Sequence, residues 1–297
     1  MQLNKLKGNS YYINAPTNIG VYTFKNKNCI LIDTGINNSQ AKKIDEVLTQ
    51  NNLHPKYIIN THSHTDHCGG NLYFQDTYPG CTVYASKDEK TLMENTNIQA
   101  SILFSGNPLK PLKPHKDCFK VDLTLENGIN KINNDKFEII SLKGHSIDQI
   151  GIITPEKVCF LGDSIFSNEI LDKYSFPFLN NIEESINTLE YIKEIDADYF
   201  VISHSEKILN KEDIISLIDR NLTNINNYTE QFLELLDQPL SIEDLLENIA
   251  ILNDLDLNFK QYHLNFSAVC AFLTYLYDKK FIKYSIENGR LYYFKSN

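Results

Sequence analysis

Thr61-His62-Ser63-His64-Thr65-Asp66-His67-Cys68-Gly69-Gly70 constrains this chain more than any other stretch, because three of its eight histidines fall within six positions. The segment follows directly on Tyr57-Ile58-Ile59-Asn60, a short apolar run that reads as a buried strand. Capping the next helix would need one polar side chain, not four. Imidazole and carboxylate are the donors that a divalent cation of borderline softness takes. His62 and His64, two apart in an extended turn, can point the same way, whereas the adjacent Asp66 and His67 diverge around it. One loop can therefore serve two metal ions.

Similar placements recur downstream. Strands are predicted at 20–24, 29–32, 82–85, 137–142, 150–154, 158–161 and 199–203, and a polar helix at 39–51. Just past three of these strands stand Gly144-His145, Gly162-Asp163 and Ser203-His204. Taken singly, each pair could be a turn or a helix start. Residues 86–120 break the rhythm, and the three prolines between Asn107 and Lys116 predict an exposed loop or lid, with His115 a solvated residue on it.

With these features in place, the chain resembles the metallo-β-lactamase superfamily over roughly residues 10 to 207. In that family an HxHxDH loop is followed by a His after a Gly, an Asp after a Gly, and a last His at a strand end. The resemblance implies an α/β fold, a four-layer αββα sandwich, over a catalytic domain of residues 1–209. It also implies that His62, His64 and His145 ligate a first metal ion, that Asp66, His67 and His204 ligate a second, and that Asp163 bridges the two. Two cations about 3.5–4 Å apart can share a water, lower its pKa and present hydroxide to a polarised carbonyl or phosphoryl group. Asp66 has two readings: a ligand in a binuclear centre, or the group that orients the attacking water in a mononuclear one. Asp66 and Asp163 are thus the candidate catalytic residues. Donors without thiolate suit zinc, iron and manganese, and zinc is the metal favoured here.

From residue 210 the character changes. Helices are predicted at 212–236, from the capping-box-like Ser241-Ile242-Glu243-Asp244, and at 266–277, followed by a hairpin of 281–286 with 290–294. Helices followed by a hairpin suggest a winged-helix-like domain at 210–297. A winged helix that reads nucleic acid needs a basic face. This segment carries eight Lys plus Arg against thirteen Asp plus Glu, a net of −5, within a chain whose formal charge is −10. Only Arg220 and Arg290 offer the guanidinium fork that grips phosphates. A packing, pocket-covering or dimerising role is therefore expected for it, and nucleic acid is not the expected partner.

The remaining features are quieter. Cysteines 29, 68, 81, 118, 159 and 270 come no closer than 13 positions, so neither a redox pair nor a zinc knuckle is expected, only reduced and mostly buried thiols. Cys68 reads as a packing residue and His54 and His263 as surface residues. Residues 166–178 either wall the pocket with aromatics or pack the core. No apolar run has the signal-peptide or membrane-spanning pattern, so no membrane partner is expected and the cytoplasm is the expected location.

Function divides at this point. The resemblance covers thioesterases similar to glyoxalase II, phosphodiesterases and nucleases, and a mononuclear iron persulfide dioxygenase that fills only the first site. A hydrolase of a small-molecule carbonyl substrate, thioester or ester, is the first expectation. True β-lactamases of the superfamily usually lack an Asp where Asp163 stands, quorum-signal lactonases tend to have Tyr where this chain has Phe166, and flavodiiron proteins replace the second His, here His64, by Glu. A DNA-binding regulator with a structural metal is the least expected reading.

Overall fold

In the computed structural model, which describes residues 1–113 and 119–296, each central strand alternates between two apolar environments, and that alternation sets the layers. Among the described residues, one sheet runs in the order β1 (Leu3–Lys7), β2 (Ser10–Ile13), β3 (Ile19–Thr23), β4 (Asn28–Ile32), β5 (His54–Ile59), β6 (Thr82–Ala85) and β7 (Leu123–Thr124). It is antiparallel up to β4 and parallel from there on. In the second sheet β8 (Gly128–Ile132), β9 (Asp135–Ser141), β10 (Ile150–Ile153), β11 (Val158–Phe160) and β12 (Tyr199–Val201) lie side by side. Here β11 and β12 are parallel and the other neighbours antiparallel.

The helices are α1 (Asn38–Gln50), α2 (Thr65–Cys68), α3 (Asn71–Thr77), α4 (Lys87–Glu94), α5 (Thr96–Phe104), α6 (Asn168–Lys173), α7 (Ile182–Glu194), α8 (Lys211–Leu235), α9 (Ile242–Leu252) and α10 (Phe259–Asp278). On β4, Cys29 and Leu31 face α1 and α3, where they meet Ile44, Leu48 and Phe74. Ile30 and Ile32 face the other sheet, where they share a cluster with Ile139, Ile152, Phe160 and Val201. Their neighbours Ile140, Ile153, Cys159 and Phe200 point outwards, into the cluster built by Leu189 of α7 and Ile218 of α8. Period-two side chains with both faces apolar thus give helix, sheet, sheet, helix, the four layers expected. Each fully buried Leu or Ile contributes roughly 1.5–3 kcal/mol relative to exposure.

The C-terminal helices and hairpin are present, the hairpin as β13 (Ile282–Glu287) with β14 (Arg290–Lys295). Capping boxes start α8 at Asn210 and α9 at Ser241, and a third, Asn258 with Gln261, starts α10 seven residues earlier than its apolar run predicts. The outer apolar cluster continues through Phe232 and Phe272 to Ile282, so this segment packs on the same helical face as α7. Phe176 stacks on Phe272 with ring centroids 5.8 Å apart.

The sequence assigns no element to residues 86–106, and α4 and α5 occupy most of them; residues 107–113 are mostly exposed, with a 3-10 turn at Lys110–Leu112. His115 lies outside the described residues. His263 is half-buried rather than a surface residue, with the rings of Phe104, Phe259 and Tyr262 around it at 4.9–5.4 Å. No helix among the described residues is long and apolar enough to cross a membrane. Cys29, Cys68, Cys81 and Cys159 are buried free thiols and Cys270 is half-buried.

Candidate metal centre

Strand direction gathers the candidate ligands. β9 and β11 run the same way, since each is antiparallel to β10, and β12 runs parallel to β11, so His145, Asp163 and His204 leave the second sheet at one edge. The loop after β5 brings His62, His64, Asp66 and His67 to that edge from the first sheet. Two glycines make the turns feasible. Gly144 has φ +127° and Gly162 φ +57°, both in the region that side chains resist, and a Cβ at Gly144 would lie 2.3 Å from the Ser185 hydroxyl.

All seven residues converge, in two groups. His62, His64 and His145 form one, and Asp66, His67, Asp163 and His204 the other, and within each group the donor atoms lie within 4.8 Å of one another. In the first, His64 Nδ1 is 3.0 Å from both His62 Nε2 and His145 Nε2. In the second, Asp163 Oδ2 is 3.3 Å from His67 Nε2 and from His204 Nε2, and Asp66 Oδ2 is 3.1 Å from His204 Nε2. Asp163 Oδ2 also lies 3.7 Å from His145 Nε2, which places this carboxylate between the groups.

The far side of most rings is tied down. His145 Nδ1 donates to the Phe178 carbonyl at 3.0 Å and His204 Nδ1 to the Pro16 carbonyl at 2.9 Å. Each bond fixes the tautomer and turns the Nε2 lone pair inwards. His67 Nδ1 is 2.8 Å from Asp33 Oδ2, and the same carboxylate accepts the N–H and hydroxyl of Thr61, each at 2.8 Å. Asp33 is a residue that the sequence alone does not single out. Its signal is an acidic residue at a buried strand end, and the structure adds φ +65° and almost complete burial.

The two groups differ in charge. Burial, followed by repulsion from neighbouring imidazoles, holds His62 well below the usual histidine range and His145 down to about 4, and burial lowers His64 too. Burial also depresses His67 and His204, but Asp163 and Asp33 outweigh it at His67, and Asp163 and Asp66 raise His204 to about 10. Burial would raise Asp163, yet His67 and His204 pull it well below the carboxylate range. At neutral pH the metal-free first group therefore presents three neutral imidazoles, and the second two imidazolium ions against two carboxylates.

These donors fit divalent ions. His67 Nε2 and Asp163 Oδ1 are buried without a hydrogen-bond partner, an omission that costs about 1–3 kcal/mol each unless something else satisfies them. Loading the first group should release almost no protons from histidine at neutral pH, and the second up to two, from His67 and His204. Second-group affinity should then rise with pH towards about 10, the value for His204. Calorimetric metal titration in buffers of different ionisation enthalpy measures this; equal proton release at both steps contradicts it.

Around the centre, Phe166 and Phe178 are half-buried against His145 at 5.8 and 5.7 Å, and Phe178 is 5.9 Å from His64. Phe176, between them in sequence, packs the core instead, so the stretch 166–178 does both jobs expected of it. Cys68 turns its thiol towards the Ser63 and His64 carbonyls at 3.4 Å, as a packing residue. His54 is exposed at the start of β5.

Comparison with known proteins agrees with this geometry. A family model described as Metallo-beta-lactamase superfamily matches residues 12–204. A hydroxyacylglutathione hydrolase of Buchnera aphidicola subsp. Baizongia pistaciae is 28% identical over 264 residues, 84% of this chain and 89% of that one. Another of that name, from Prochlorococcus marinus, is 26% identical over 179 residues, 60% of this chain and 60% of its own length. The crystal structure of a metallo-beta-lactamase family protein from Thermus thermophilus is similar in fold, with a TM-score of 0.72 at 17% identity over 97% of this chain and 99% of that one.

Proposed function

Because this chain belongs to the metallo-β-lactamase superfamily, we propose that this metallo-hydrolase cleaves a small thioester, with zinc in both ligand groups. The observation that carries the reading is the convergence of seven donors into two adjacent sets. When bound, such a pair of ions acidifies a water and polarises a carbonyl. The chain's own residues do the rest. His62, His64 and His145 hold the first site, Asp66, His67 and His204 the second, and Asp163 joins them. Asp66, a third exposed, is the ligand carboxylate nearest the solvent side from which substrate must arrive. Phe166 and Phe178 form an apolar wall that seats the acyl group and keeps bulk water from it. Residues 1–209 form the catalytic unit in this reading, and 210–297 cover one side of it.

Two observations favour a carbonyl over a phosphodiester. The hydroxyacylglutathione hydrolases are relatives over as much as 84% of the chain. The chain's two arginines, moreover, stand in surface ion pairs, Arg220 with Asp172 and Arg290 with Asp244, and neither is among the seven residues of the two groups. The test is a panel of hydroxyacylglutathione thioesters, lactones, aryl phosphodiesters and single-stranded RNA, assayed on zinc-loaded protein. Thioesters should give the highest kcat/KM. Phosphodiester or RNA cleavage without thioesterase activity refutes the proposal, as does a single ferrous ion with oxygen uptake on a persulfide.

A further inference from the structure

Glu89 of α4 is completely buried, and among the described residues no lysine, arginine or histidine pairs with it. Its Oε2 accepts the Ser63 backbone N–H at 2.8 Å. Its Oε1 accepts the Ser146 hydroxyl and, at 3.1 Å, the Asp148 N–H. Ser63 stands between His62 and His64, and Ser146 directly follows His145. One carboxylate thus joins the two loops that supply the first ligand group. Of the second group, Asp66 and His67 follow on α2 of the same loop, where Asp33 holds the His67 ring at 2.8 Å independently of Glu89, and Asp163 and His204 leave strands that Glu89 does not reach.

A carboxylate out of water is tolerated only where hydrogen bonds replace its hydration. At Glu89 those bonds come from the two ligand loops themselves, so any sliding of one loop against the other strips a buried charge of its donors. The anchor is held in turn. The Ser86 hydroxyl donates to the Asp148 carbonyl at 2.6 Å, and the Asp88 N–H to the Asp148 carboxylate at 3.2 Å, pinning the start of α4 to the His145 loop.

We propose that Glu89 is a positioning residue that sets the spacing of His62 and His64 against His145, and with it the metal affinity of the first site alone. The inference rests on the reading that these groups hold metal ions. Glu89→Gln keeps the volume but puts an amide N–H₂ where an oxygen now accepts. It is tested in two backgrounds: Asp66→Ala with His204→Ala, which leaves the first group the only complete set, and His145→Ala, which leaves the second. Zinc affinity is read by competition with a chromophoric chelator. The expected result is a loss on the order of 10–100-fold in the first background, the range typical of outer-shell partners, and none in the second. Equal losses in both, or parental affinity in both, overturn the proposal. Ser146→Ala, which removes one donor and leaves the carboxylate in place, should give a smaller loss in the first background only, and decides the matter if Glu89→Gln does not fold. If neither parent binds zinc, the metallo-hydrolase reading itself fails; if the parents bind and the variants match them, only the positioning role does.

Discussion

Asp163→Asn lowers kcat by more than a hundred-fold, a loss of about 2.7 kcal/mol of transition-state stabilisation or more, while the far-UV spectrum stays that of the folded protein. The amide has the carboxylate's shape, so packing around this buried position is kept. What changes is charge and donor sense. Asp163 Oδ2 faces His67 and His204 at 3.3 Å and His145 at 3.7 Å, and no other carboxylate among the described residues stands between the two groups. An N–H₂ turned towards those nitrogens opposes a cation where an oxygen accepted one. Outer-shell partners of metal ligands already cost about 10–100-fold when mutated, and a residue reaching both groups should exceed that range. Asp66→Ala should fall in the same direction, by losing a second-group donor and the exposed carboxylate together. Turnover near that of the parent in both variants removes the mechanism.

The candidate metal-binding residues are legible in the sequence and the groups that aim them are not, for a physical reason. A site that binds divalent ions draws on few residue types, and three histidines in six positions after an apolar strand have almost no competing use. Strands buried on both faces are similarly plain, as in Ile30-Leu31-Ile32, because both sides of the pleat must be apolar. The edges carry no such signal. β1 and β2 pair at a half-exposed margin where β1 holds Asn4, Lys5 and Lys7, and β8 is Gly-Ile-Asn-Lys-Ile with Ile129 exposed; none of the three has a pattern that marks it as a strand. α5 is hidden because Ile98 and Ile102 face solvent while Ala100 is buried, so no apolar stripe marks its inner face.

The outer ring of the site shows the sharper limit. Glu89 sits in Lys87-Asp88-Glu89-Lys90, a run of charges with no pattern that singles out any one of them, and only the fold shows that Glu89 is completely buried. Asp33 is not singled out by the sequence, since its role depends on His67 arriving 34 positions later. Ligands announce themselves by type, whereas the groups that aim them are ordinary residues made special by tertiary contact.

Removing the metal should both abolish turnover and soften the fold. The first group then keeps three imidazoles in contact, with His64 Nδ1 3.0 Å from both His62 Nε2 and His145 Nε2, and the second group is left with a partly buried cluster of two imidazoliums and two carboxylates. Ligands that bind the folded state alone stabilise it in proportion to the logarithm of their excess over Kd, about 4 kcal/mol at a thousand-fold excess for one site. For a chain of this size 1 kcal/mol corresponds to roughly 2–4 °C in Tm. Exhaustive chelation should therefore lower Tm by on the order of 10 °C, and stepwise return of zinc should restore it in two increments, with turnover reappearing at the second. A thermal melt followed against added metal equivalents measures both. Should the chelated protein melt where the loaded one does, the cations contribute nothing to the native state. Should full turnover return after one equivalent, the second group is not part of the working centre.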